Sequence, residues 1–127
     1  MSELKKAVEF YFEDLKKGCN NLIDCETLFK NLSTKDKLFI LDIRKEADFE
    51  KGHIESAIHS EWPEVWDFID TDALPKDKKI IVVCYTGQTA GQVVSILKLL
   101  GYDACSLKGG MMNGWNKSDM PIKSGCD

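Results

Sequence analysis

Two stretches of this chain, "KLFILDI" (37–43) and "KKIIVVCY" (78–85), are apolar without alternation. A strand with one face in water alternates polar and apolar residues; these do not, so both of their faces must be covered. Such strands belong to parallel sheets sandwiched between helices, and the segments between and after them fit that arrangement. "KEADFEKGHI" reads as a short helix closed by Gly52, "SAIHS" as an abbreviated strand, and "EWPEVWDFI" as a helix with Pro63 in its first turn. "TAGQVVSILKLLG" has apolar residues at 90, 93, 94, 97 and 100 and ends at Gly101, while "DACSLKGG" is a short strand running into glycines. Upstream, Asp24 is placed to cap a helix over "CETLFKNL", with Leu28, Phe29 and Leu32 facing inward. At the start of the chain Leu4, Val8, Tyr11, Phe12 and Leu15 recur at helical spacing up to Gly18. The expected architecture is α/β. Residues 1–18 are expected to form an amphipathic helix that covers a sheet face or edge, with dimerisation the less favoured alternative. Residues 19–127 form one domain around a parallel sheet of about five strands with helices on both faces.

A chain of 127 residues is long enough for one domain with a real core and too short for two comfortable ones. The net charge of −4, with no Lys/Arg cluster, argues against a nucleic-acid partner. No apolar run approaches the ~20 residues that span a bilayer, so no membrane role is expected. Glu3, Glu9, Glu13 and Asp14 interrupt the N-terminal segment, which does not read as a signal peptide, and a cytoplasmic location is expected. The five cysteines are odd in number and form no C-x-x-C pair, so reduced thiols are the default. His53 and His59 have no cysteine near them in sequence, so neither a metal nor any other cofactor is expected.

Among the cysteines, Cys84 occupies a distinctive place, at the end of an apolar strand and just before a polar turn and a helix. In parallel sheets ligands bind beyond the carboxyl ends of the strands. Backbone N–H groups at the start of a helix have no intrahelical partner, and with the helix dipole they favour an anion, whether a thiolate or a bound substrate. Gly87 lets the turn curl tightly. The pattern suits a nucleophilic thiolate that carries a group. The competing reading is a small buried hydrophobe that ends a strand.

Four segments in order, "LDIRKEADFEKGHI", "SAIHS", "IIVVCYTGQTA" and "LKGGMMNGW", resemble a single rhodanese domain over roughly residues 21–121. The resemblance implies the rhodanese-like fold and a sulfurtransferase of the thiosulfate sulfurtransferase type. Cys84 would accept a sulfane sulfur as a persulfide and pass it to a thiophilic acceptor such as cyanide or a thiol. Its implied partners are a small donor (thiosulfate or a persulfide), that acceptor, and a sulfur-relay protein. By the same resemblance Tyr85, Thr86, Gly87, Gln88 and Thr89 form the substrate cradle. The family's loop often carries an arginine or lysine, whereas "CYTGQT" has no charged side chain, so weak affinity for thiosulfate is expected. Lys108, beside Gly109, is the candidate for a nearby cation.

Asp42 and Arg44 match the family's D-x-R. They read either as pocket-entrance groups or, preferably, as charge-assisted ties between the strand end and neighbouring loops. His53 is architectural in the family, and an ionised thiol needs no base. Trp62, Trp66 and Phe68 are candidates for a docking surface, but helical spacing favours core burial of the two tryptophans. Cys126 is expected on an exposed tail. Two other functions compete. A phosphatase of the related fold would need C-x5-R, and residue 90 is Ala. A non-catalytic sulfur-binding, sensing or protein-interaction module would use the fold without turnover.

Overall fold

The structure is a computed structural model that describes residues 2–125, with the backbone alone at 34–36; Cys126 lies outside the described residues. Five strands form one fully parallel sheet: β1 (Leu22–Ile23), β2 (Leu38–Asp42), β3 (Ile58–His59), β4 (Lys79–Val83) and β5 (Ala104–Leu107). Their order is β1-β5-β4-β2-β3, which puts β4 at the centre. Its register against β2 runs from Leu38 opposite Lys79 to Asp42 opposite Val83. The unbroken apolar run of β4 is explained by two separate clusters. Ile80 and Val82 point to one face with Val93, Val94 and Leu97. Ile81 and Val83 point to the other with Leu28, Phe49, Met111 and Trp115.

The helices divide accordingly. α2 (Cys25–Asn31) and α3 (Glu46–Lys51) contribute Leu28 and Phe49 to the second cluster, joined by the irregular helical turns of Gly110–Trp115. α4 (Val65–Asp70) and α5 (Gln88–Leu99) cover the first cluster. The Asp24 side chain accepts from the Thr27 amide at 2.7 Å, capping α2 as its sequence position suggests. Among the described residues, no helix is long and apolar enough to cross a membrane.

Three expectations need correction. α1 (Glu3–Lys16) covers neither a face nor an edge of the sheet; with both faces already clad, it lies along the outside of α5. Tyr11 and Ser95 share a hydrogen bond of 3.0 Å there, Lys98 meets Asp14 at 3.5 Å, and no α1 residue is buried. α2 turns Leu28 inward but leaves Phe29 exposed, its ring edge against Trp115, while Leu32 is partly buried. Trp62 and Trp66 are not core residues: they are 47% and 61% exposed. Trp62 and Pro63 lie in a 3-10 turn, Trp62–Glu64, whose three-residue period breaks phase with α4. Val65 takes the buried position, leaving the tryptophans on the flank.

Candidate functional site

Cys84 follows β4 directly, and the chain turns through Tyr85, Thr86 and Gly87 into α5. Gly87 is the residue before the helix, with φ of +99°, a left-handed conformation that suits glycine. This turn aims two backbone donors at one sulfur. The Gly87 N–H donates to Cys84 Sγ at 3.0 Å and the Ala90 N–H does so at 3.4 Å. Both belong to the positive end of α5, so negative charge on sulfur is stabilised where it sits. Cys84 is 2% exposed; Thr86 and Gln88 are exposed above it, and Thr89 is half-buried.

The start of the loop is held from outside. The Met111 N–H donates to the Cys84 carbonyl at 2.9 Å and the Met112 N–H to the Tyr85 carbonyl at 2.8 Å. Because each peptide is planar and trans, this turns the N–H groups of Tyr85 and Thr86 away from the Gly110–Trp115 segment. The approach leaves no room for a side chain. A Cβ on Gly110 would lie 2.5 Å from the Cys84 carbonyl oxygen, and its φ is +61°. The late glycine pair is visible in the sequence, but the loop it touches is not.

Tyr85 is engaged away from the sulfur. Its hydroxyl donates to Asp48 and accepts from the Lys45 N–H at 3.2 Å, and its ring faces Arg44, with Cζ 5.9 Å from the centroid. Burial, first, and the Asp48 bond, second, push its phenol up from the ordinary value. The Tyr85 side chain therefore latches the loop to the start of α3, a role for Asp48 and Lys45 that sequence reading missed.

Asp42 and Arg44 form a buried ion pair, Nη2 to Oδ2 at 2.8 Å, and Nη2 also donates to the Gly52 carbonyl at 2.7 Å. This ties the end of β2 to the end of α3, the structural reading of D-x-R. Gly52 is extended, with φ of 173°, and is closely packed: a Cβ there would lie 2.7 Å from Ile122 Cδ1. His53 is fully buried, bonded through Nδ1 to the Phe49 carbonyl at 2.7 Å and stacked on the Phe49 ring. His59 Nε2 bonds the Arg44 carbonyl at 2.6 Å. Lys108 is exposed just beyond β5, and its charge, after the Thr27 bonds, helps hold the Asp24 carboxyl below its usual range. Among the described residues, no group of three or more His, Cys, Asp and Glu is placed to hold a metal ion.

A parallel α/β domain with a buried cysteine at the end of its central strand, its sulfur met by amides of a helix start, is a defined class of protein. Residues 24–118 match the rhodanese-like domain, and the chain belongs to that family. It is similar to a sulfurtransferase of Allochromatium vinosum, 29% identical over 103 residues, which cover 80% of this chain and 94% of that one. It is also similar to the thiosulfate sulfurtransferase GlpE of Pseudomonas syringae, 33% identical over 72 residues, 56% of this chain and 66% of that protein. In fold it resembles a rhodanese-related protein from Thermoplasma volcanium, with a TM-score of 0.72 at 24% identity over 81% of this chain and 97% of that one.

Proposed function

We propose that this protein is a sulfurtransferase that carries sulfane sulfur on Cys84. The observation that carries the reading is the pair of N–H donors, Gly87 and Ala90, on Cys84 Sγ at the start of α5. In the first step the Cys84 thiolate attacks the sulfane sulfur of a donor such as thiosulfate. A new S–S bond forms, the donor's S–S bond breaks, and sulfite leaves with the electron pair. In the second step a thiolate or cyanide attacks the outer sulfur; it departs as a persulfide or thiocyanate, and Cys84 is again a thiolate. The N–H groups of the loop over Tyr85–Thr89 cradle the persulfide in this scheme, with the Thr86 and Thr89 hydroxyls and Gln88 at its mouth. Tyr85 and the Asp42–Arg44 pair hold the loop in position. Lys108 adds a cation at the strand ends, on the Asp24 side.

The reading predicts a mass gain of about 32 Da, one sulfur atom, on the Cys84 peptide after incubation with thiosulfate or a small persulfide. Cys84→Ser should abolish the gain. Sulfur found only on Cys19, Cys25, Cys105 or Cys126 would end the proposal. The uncharged loop and the 2% exposure of Cys84 favour a second reading, a sulfur-sensing or interaction module without turnover. That reading predicts a persulfide that neither cyanide nor a thiol removes, or none from any donor.

A further inference from the structure

Beside the cysteine loop, α4 and α5 leave an apolar groove of about 280 Å³ between them. Trp62, Trp66 and Ile69 form one wall; Val93 and Ile96 form the other. Trp62, Trp66 and Ile96 are each roughly half exposed or more, a contiguous patch rather than scattered apolar residues. α1 does not reach over it; that helix meets α5 at Ser95 and Lys98, outside the groove lining. The groove lies close to the cysteine loop. The Trp62 N–H donates to the Ile43 carbonyl just past the end of β2, and Thr89 lies one helical turn before Val93.

Its charge is one-sided. Residues 52–75 contain Glu55, Glu61, Glu64, Asp67, Asp70 and Asp72 and no lysine or arginine. Glu64 in the turn before α4, Asp67 and Asp70 on it and Asp72 after it are exposed. In α5 the only charged residue is Lys98, which faces Asp14 of α1. The groove lining holds no carboxylate; its acidic bank is the rim of α4, where Asp70 follows Trp66 by one helical turn, while Glu64 and Asp67 also line a separate cavity with Glu46 and His59, and α5 forms a neutral bank. A second copy of this chain does not fit it. A two-fold contact would set the acidic bank against either an acidic or a neutral one, never a basic one, and the exposed helix α1 carries four carboxylates against three lysines.

We propose that this groove docks a sulfur-exchanging partner protein through an apolar helical segment flanked on one side by lysine or arginine. The proposal rests on the sulfur-transfer reading for the partner's cargo, but the groove itself does not. Docked there, the partner holds its thiol next to the loop that covers Cys84, and local concentration replaces the anion affinity that an uncharged loop lacks.

Two labelled peptides of about 14 residues, each an amphipathic helix with a leucine stripe, test this, one flanked by lysines and one by glutamates. Each is titrated against the full chain carrying Cys84→Ser. The lysine peptide should bind, and binding should weaken as salt rises from about 50 to 300 mM. Trp66→Ala, on the exposed side of α4, should weaken it about tenfold. Asp67→Lys with Asp70→Lys should shift the preference to the glutamate peptide. Equal binding of the two peptides, indifference to both sets of substitutions, or no binding overturns the proposal. So does a dimer in sedimentation that Trp66→Ala dissolves, which would give the groove to a second copy. Sulfur loading of wild type from thiosulfate is read in parallel. Loading without peptide binding removes the docking proposal alone; binding without loading removes the sulfur-transfer reading and the partner's cargo, and leaves the groove.

Discussion

The sulfur-transfer reading makes Thr86 the residue at which to test substrate choice. It is exposed at the mouth of the loop, and no residue from Cys84 to Thr89 bears a charge. From sequence, Tyr85 is as good a place as Thr86 to add a cation; the structure removes that option, because the Tyr85 hydroxyl is bonded to Asp48 and Lys45. Arg44 offers no substitute, since its guanidinium is committed to Asp42 and the Gly52 carbonyl. Wild-type thiosulfate:cyanide activity is therefore expected to be weak. Thr86→Arg should lower the KM for thiosulfate by roughly two- to fivefold, the scale of an exposed ion pair, and more at low salt. Steady-state kinetics at two ionic strengths checks this, and an unchanged KM at low salt contradicts it.

At the scale of elements, the cysteine loop is shaped as much by the Gly110–Trp115 segment as by its own residues. Gly110→Ala forces a Cβ against the Cys84 and Tyr85 carbonyls at a left-handed φ, and should cost about 2 kcal/mol or more. Gly91→Ala is the contrast. It lies inside α5 with open space where a Cβ would go, and should add about 0.5–1 kcal/mol. Denaturant midpoints measured side by side give the two signs; a tolerated Gly110→Ala would mean that the segment does not shape the loop. The same contrast explains which elements were legible in sequence. β2, β4 and α5 announce themselves because their patterns are local: unbroken apolar runs, and apolar residues at 90, 93, 94 and 97 that are all buried. Cys84 is legible for the same reason, lying where two such patterns meet. The Met111 and Met112 donors, the Tyr85–Asp48 bond and the resting place of α1 are contacts across the sequence, and no local period encodes them. Trp62 and Trp66 misled because spacing of four residues shows a shared face, not which face is inside.

The whole molecule carries a pH signature at alkaline pH. Burial pushes the Cys105 thiol from 9.0 up to about 11 and raises Cys25 and Tyr85 as well. A group raised in the folded state keeps its proton at a pH where the unfolded chain has lost it. The stability these groups contribute is thus at its full value below about pH 9 and falls as pH climbs toward 11. Cys105, 5% exposed, accounts for about 2–3 kcal/mol of that fall. Urea unfolding across the window should show the decline, and Cys105→Ala, though less stable at pH 7, should flatten it; an equal slope in both proteins would assign the decline elsewhere. Strand order has a different consequence. β4 is flanked by β5 and β2, while the outermost strands β1 and β3 have two residues each. Thermal fluctuations open a sheet from its margins, and amides of the central strand exchange with solvent only in the largest openings. The cysteine is thus anchored to the part of the molecule that lets go last.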